Sequence, residues 1–404
     1  MIHVTIDGIP VEVEKGTTIL QAAEKAGVKI PTLCYIKDLL PDGSCRMCMV
    51  EIENRGRKKM DSACSCHVSE GDVIETMSEK VVESRKTILN LLLSNHKTDC
   101  FSCAQNGRCK LQDYCVEYGV ERTTYEGEMT EFPVDDSNPF FTYDPNLCIL
   151  CHRCVNTCNQ VVGRGAIDTM ERGFESSVGT PFGVPIRKST CESCGNCVEA
   201  CPTGALSSKR RKSFRPWQID KKVLTTCPHC GTGCQFYLVV KDNKIVDVEP
   251  ANGPSNKNLL CVKGRSGSFD FVHSADRVKY PLIKNKETGE FERASWDEAL
   301  DLVASKFMEI KKQYGSESLA GFACSRSPNE DIYMVQKMVR TCFGTNNTDN
   351  CARVCHSASV AGLAMTLGSG AMTNPVADIT QKPDLIMMVG SNPEEAHPVI
   401  GMQI

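Results

Sequence analysis

The 404-residue chain carries 46 basic and 50 acidic side chains, interspersed to a net charge of −4, which gives no support for nucleic-acid or membrane-surface binding. Its longest apolar runs, Leu91-Leu92-Leu93 and 385–389, fall well short of the ~18 residues of a membrane span. Cysteine is the departure: 21 of the 25 lie between Cys34 and Cys261. Tight two-residue spacings, and a start that runs from Met1 straight into an alternating segment rather than a secretory leader, point to a cytoplasmic protein whose thiols bind metal rather than form disulfides.

Residues 1–77 open with a strand ending at Ile6, an Asp7-Gly8 turn and a second strand over 11–14. A helix over 18–26 follows, with Thr18 and Gln21 as a capping box and Gly27 as the stop. Strand, turn, strand, helix and then a cysteine loop is the order of a β-grasp ferredoxin. Its thiols are Cys34, Cys45, Cys48 and Cys64, separated by ten, two and fifteen residues, with Cys66 a rival fourth ligand. A close pair inside a long loop with two outlying thiolates suits a 2Fe–2S cluster, although the spacing is not that of plant ferredoxins.

Residues 78–138 begin with a helix over 78–95 that delivers His96 beside Cys100, Cys103 and Cys109. Three Cys and one His also suit zinc. Between iron–sulfur sites, a 4Fe–4S cluster with one imidazole ligand is the preferred reading, and the neutral ligand should raise its potential. Cys115 beyond it reads as inert.

Residues 139–210 hold two Cys-x-x-Cys-x-x-Cys-x-x-x-Cys runs, 43 residues apart: Cys148, Cys151, Cys154 and Cys158, then Cys191, Cys194, Cys197 and Cys201. In such runs the fourth cysteine serves the other cluster. The expected 4Fe–4S sets are therefore Cys148/Cys151/Cys154/Cys201 and Cys191/Cys194/Cys197/Cys158. Asn159 stands where a proline usually follows. The stretch 207–220, with Lys209-Arg210-Arg211-Lys212, reads as a solvated linker.

Within 221–280, strands over 236–240 and 244–249 flank Asp242-Asn243. Cys227, Cys230, Cys234 and Cys261 suit a further 4Fe–4S cluster, Gly231 and Gly233 letting the backbone wrap it; a zinc ribbon is the bland alternative. From 281 to 404 the pattern changes. Ser295 caps a helix to Tyr314, and strands over 319–324 and 384–389 alternate with helices around 332–342 and 357–367. That alternation predicts an α/β domain with a largely parallel sheet. The expected class is thus α+β multidomain: β-grasp 2Fe–2S unit, His/Cys cluster unit, two-cluster ferredoxin unit, then an α/β domain.

The fifth motif with Leu260-Cys261-Val262-Lys263-Gly264-Arg265, and the stretch Asn346-Asn347-Thr348-Asp349-Asn350-Cys351-Ala352-Arg353-Val354-Cys355-His356-Ser357, resembles the molybdopterin oxidoreductases, most closely cytosolic formate dehydrogenase catalytic subunits. The first 220 residues are similar to the large iron–sulfur subunit of NADH dehydrogenase and to accessory domains of iron-only hydrogenases. The resemblance implies a molybdenum or tungsten bis-molybdopterin guanine dinucleotide, with Cys355 as metal ligand and His356 as the neighbouring proton-handling group. It further implies Lys263 between cluster and pterin, and Asn329, Gly390 and Asn392 near the pterin. The chemistry fits these residues: a soft thiolate suits a metal that cycles its charge, and histidine accepts a proton near neutral pH.

In that family several hundred further residues enclose the pterin, so a second chain or a longer polypeptide is expected to complete the site. The expected activity is formate dehydrogenase, in anaerobic metabolism. Expected partners are a flavin- and NAD(P)-binding iron–sulfur subunit, a small 2Fe–2S subunit, a hydrogenase or a ferredoxin. The rival readings are a purely electron-transferring subunit of a complex I-like or hydrogenase complex, and a hydrogenase; no cysteine set suited to a hydrogenase site follows Cys261.

Overall fold

The computed structural model describes residues 1–267, 269–370 and 374–404. The N-terminal sheet has five strands. β1 (Ile2–Ile6) and β2 (Ile9–Val13) form the expected hairpin, with Asp7 and Gly8 both left-handed (φ 46° and 82°) as a two-residue turn of this twist demands. α1 (Ile19–Lys25) starts at the Thr18–Gln21 capping box and lays Ile19, Ala22 and Ala23 on the sheet. β3 (Met49–Asn54) and β4 (Arg57–Ser62) make a second hairpin, and β5 (Val73–Glu75) runs parallel to β1 between β1 and β3. This is the β-grasp arrangement.

A second core joins this unit to the next two. α2 (Glu79–Ser94), capped by Ser78, and α3 (Lys110–Glu117) pack Leu89, Leu93, Leu111 and Tyr114 against Leu33, Cys34, Cys45 and Met47, and Ile149 and Cys151 complete the same cluster. Arg85 is fully buried there and donates to the Tyr118 hydroxyl (2.8 Å) and the Met49 carbonyl (3.0 Å). One apolar body therefore holds thiols of the first and third cysteine sets.

Next come β6 (Phe141–Tyr143), α4 (Arg153–Asn156), the hairpin of β7 (Asp168–Met170) and β8 (Ser177–Gly179), α5 (Asn196–Ala200) and β9 (Leu206–Ser208), which pairs with β6. Each quartet thus opens a short helix, α4 or α5, and the β6–β9 ribbon ties the ends of the repeat together.

The basic run after β9 is not a solvated linker. Arg211 is 4% exposed; its Nε donates to Asp247 Oδ2 at 2.8 Å and its other arm pairs with Glu199. Arg210 pairs with Asp270 at 3.0 Å, and Phe214 is buried under the Arg108 guanidinium. These cations meet carboxylates from the units on either side, a match that local charge counting does not see.

β10 (Lys221–Thr226), β11 (Gln235–Lys241) and β12 (Lys244–Pro250) form a three-stranded sheet. The β11–β12 hairpin turns at Asp242-Asn243 as expected; β10 is an added edge strand. Beyond it lie the hairpin β13 (Leu282–Lys284)/β14 (Phe291–Arg293), α6 (Trp296–Tyr314) with the Ser295–Glu298 capping box, β15 (Gly321–Ala323), α7 (Asn329–Met338), β16 (Thr348–Asn350), α8 (Ala352–Cys355) and α9 (Ser357–Leu367). β15 and β16 are parallel. The expected strand over 384–389 does not form: Leu385, Met387 and Val389 are exposed and unpaired among the described residues. Apolar composition favours a strand only where a neighbour completes the ladder. Among the described residues no helix is long and apolar enough to cross a membrane.

Candidate functional site

All 25 cysteines are free thiols. In the first set the four sulfurs share one buried space, Cys34 against Cys45 and Cys64, and Cys48 against Cys64. Hydrogen bonds from Cys45 and Cys64 hold the Cys34 thiol far below its ordinary value, and Cys64 lowers Cys48 to about 7. The same contacts push Cys45 and Cys64 up. Four thiolates cannot coexist there unless a cation shares their charge, so the donor set fits an iron cluster. Cys66 stands apart, its sulfur 3.7 Å from the His67 carbonyl and beside Asp61.

α2 delivers His96 to a pocket shared with Cys100, Cys103 and Cys109. The imidazole is buried, which lowers its basicity, and its Nδ1 has no hydrogen-bond partner. A buried ring nitrogen without a partner, on a histidine that lines one pocket with three thiols, fits a metal ligand. Gly204 closes the pocket from the neighbouring unit: a Cβ there would lie 2.5 Å from Cys103 Sγ and 3.1 Å from Leu147 Cδ1. Gly204→Ala is therefore expected to displace Cys103 and cost one cluster; iron content and the electron paramagnetic resonance (EPR) spectrum of the purified protein check it. His96→Ala should alter the spectrum of one cluster and leave the others, and an unchanged spectrum would count against ligation.

The quartets cross. Cys148, Cys151 and Cys154 are electrostatic neighbours of Cys201, and Cys191, Cys194 and Cys197 are neighbours of Cys158. The backbone wraps both sites in the same way. Leu150 and Ser193, two residues after each first cysteine, and His152 and Gly195, four after, are all left-handed. Three of these carry side chains, a strain kept where the surroundings demand it. It turns two amides onto sulfur, Leu150 N–H to Cys148 and Ser193 N–H to Cys191, and Ala166 N–H separately reaches Cys158, each at 3.4 Å. Cys154 is also a neighbour of Cys197, so the two sites adjoin.

Cys227, Cys230, Cys234 and Cys261 line one pocket with His229, Lys263 and Arg326. Gly264 backs it, its Cβ position 3.7 Å from Cys227 Sγ. Arg326, in the loop after β15, donates to the His229 carbonyl at 2.9 Å and so joins the C-terminal unit to this site. Sequence reading missed Arg326; its position just past the C-terminal end of a strand was the available signal.

Cys355 ends α8 and His356 sits between α8 and α9; both are exposed, at the end of the β15–β16 pair. No hydrogen bond joins either to Lys263. Cys351 is better anchored, meeting Ser325 Oγ at 3.1 Å and the Ser325 N–H at 3.2 Å, contacts that lower its thiol. Asn329 opens α7 and is exposed. Gly390 is left-handed (φ 62°), and Asn392 caps the turn Pro393–Ala396 by accepting from Glu395 N–H at 3.3 Å.

Five family descriptions match in chain order. They are a 2Fe-2S iron-sulfur cluster binding domain (1–79), the NADH-ubiquinone oxidoreductase-G iron-sulfur binding region (85–124), the ferredoxin-like domain of NADH-quinone oxidoreductase subunit 3 (138–207), the molybdopterin oxidoreductase Fe4S4 domain (220–273) and molybdopterin oxidoreductase (277–404). The chain is 38% identical to an NADH-quinone oxidoreductase subunit of Rhizobium meliloti, over 99% of this chain and 45% of that protein. It is 37% identical to the NADPH-Fe(3+) oxidoreductase subunit alpha of Geobacter sulfurreducens, over 96% and 45%. It is 32% identical to a Staphylococcus haemolyticus protein provisionally named a formate dehydrogenase, over 99% and 44%. The chain spans less than half the length of these relatives. The matches thus place a 2Fe–2S domain, 4Fe–4S domains and the start of a molybdopterin oxidoreductase domain along this chain in that order.

Proposed function

We propose that the protein is the iron–sulfur and metal-ligand portion of an enzyme that interconverts formate and carbon dioxide. The reading is carried by the Cys355–His356 pair, displayed at the end of parallel strands on the unit that reaches the fifth cysteine site through Arg326. When bound, a molybdenum or tungsten bis-molybdopterin guanine dinucleotide would accept the two electrons of formate oxidation, and one 2Fe–2S and four 4Fe–4S clusters would carry them singly. Cys355 would ligate the metal, and His356 would take the proton that formate loses as carbon dioxide leaves. Lys263, which lines the fifth cysteine site, would lie between it and the pterin, and Asn329, Gly390 and Asn392 would hold the pterin. The five cluster ligand sets would be those named above, with Cys64 rather than Cys66 in the first as the resemblance implies; they fall in units 1–77, 78–138, 139–210 (two sets) and 221–280, and Cys355 lies in unit 281–404. A relative named as an NADPH-Fe(3+) oxidoreductase subunit favours an NAD(P)-linked partner over a hydrogenase.

The second reading is a subunit that only transfers electrons, which the relative named as part of an NADH-quinone oxidoreductase favours. Metal analysis and a formate:viologen assay on the complete native complex separate the two. Molybdenum or tungsten with formate turnover supports the first; iron alone, with electron transfer from a nicotinamide-linked partner and no pterin, overturns it.

A further inference from the structure

Two buried polar side chains link the second quartet to the fifth site. Asn196, 4% exposed, precedes Cys197; Leu260, fully buried, precedes Cys261. The Asn196 amide meets the Leu260 main chain twice, donating to its carbonyl at 3.1 Å and accepting from its N–H at 3.2 Å, as a neighbouring strand would. Arg265, 7% exposed, lies across this contact. Its Nη2 donates to Asn196 Oδ1 at 3.0 Å, its Nε donates to the Cys194 carbonyl at 2.9 Å, and its Nη1 faces Glu199 at 3.1 Å. Left-handed Gly195 leaves the room: a Cβ there would strike Arg265 Cδ. None of these groups is used in formate chemistry.

We propose that Asn196 and Arg265 are positioning residues that clamp the Cys158/Cys191/Cys194/Cys197 site to the Cys227/Cys230/Cys234/Cys261 site and raise the reduction potential of the former. The inference rests on the iron–sulfur ligand sets assigned above, not on the substrate. Reduction adds negative charge to an iron–sulfur site, and a buried guanidinium beside its ligand loop stabilises that charge more than an exposed one would. The amide of Asn196 also supplies a route of one hydrogen bond from the residue beside Cys197 to the residue beside Cys261.

The test is a redox titration followed by EPR on the complete complex, with iron content measured alongside. In Arg265→Gln one 4Fe–4S midpoint should move negative while the others hold, and Arg265→Lys should restore most of it. Glu199→Gln, which removes the opposing charge, should move the same midpoint positive. Asn196→Leu should weaken the magnetic interaction between two neighbouring clusters. Unmoved midpoints in Arg265→Gln at full iron content, or equal shifts in the Gln and Lys variants, would overturn the proposal. If Arg265→Gln does not accumulate, Glu199→Gln decides, and absence of a positive shift refutes it. A complex that lacks these clusters altogether would instead sink the ligand assignment.

Discussion

Cys355→Ala should abolish formate turnover by the complete complex while leaving the iron content and every cluster signal intact. The separation follows from position. Cys355 lies at the exposed end of α8, with no side-chain hydrogen bond among the described residues and far in sequence from the cluster loops. Truncating an exposed side chain of this kind changes stability by only about ±0.5 kcal/mol. The loss would therefore be chemical, since alanine offers the metal no ligand. His356→Gln should retain the metal and lower kcat by roughly 10²–10⁴-fold, the usual span for a general base. Cys351→Ser is the control: Cys351 is tied to Ser325 and carries no assigned role, so turnover should persist. Formate turnover unchanged in Cys355→Ala would remove the catalytic assignment, and equal losses in the Cys351 and Cys355 variants would show that the loop, not the ligand, matters.

What the sequence made legible was what a few neighbouring residues decide. Asp7-Gly8, Thr18 with Gln21, and the Ser295 cap each specify their turn or helix start within a few residues, and each forms as read. The crossing expected of the quartets is consistent with the fold, which sets Cys201 near Cys148, Cys151 and Cys154, and Cys158 near Cys191, Cys194 and Cys197. Cys64 and Cys66 were harder, since spacing allows both; only the β-grasp sheet turns Cys66 toward Asp61 and His67. Arg211 was misread because its carboxylates lie twelve residues before and thirty-six after it, on two different units. Strand 384–389 was misread because a short apolar run is only a candidate strand, whereas a strand also needs a partner. The clamp at Asn196 and Arg265 has no local signature, being made of ordinary residues that tertiary contact brings together.

The misread cation sets the largest expected effect on stability. Arg211→Ala should destabilise the junction of the quartet unit and the β10–β12 unit by about 3–5 kcal/mol, the cost of breaking a buried pair from one side. Asp247 is 3% exposed and would keep its charge with no guanidinium at 2.8 Å, and Glu199 would keep only Arg265. The measurement is the urea midpoint at which the visible iron–sulfur absorbance is lost. Adding Asp247→Asn to Arg211→Ala should recover part of the loss, because it removes the stranded charge, so the two substitutions would be strongly non-additive. Lys222→Ala, which breaks a partly exposed pair with Glu249 on the same sheet, should shift that midpoint little. Equal effects of Arg211→Ala and Lys222→Ala would mean that the junction is wet and that Arg211 is the solvated linker residue its neighbours in sequence suggested. A selective loss would instead make the basic run the part of the chain that holds the fifth cysteine site against the quartets.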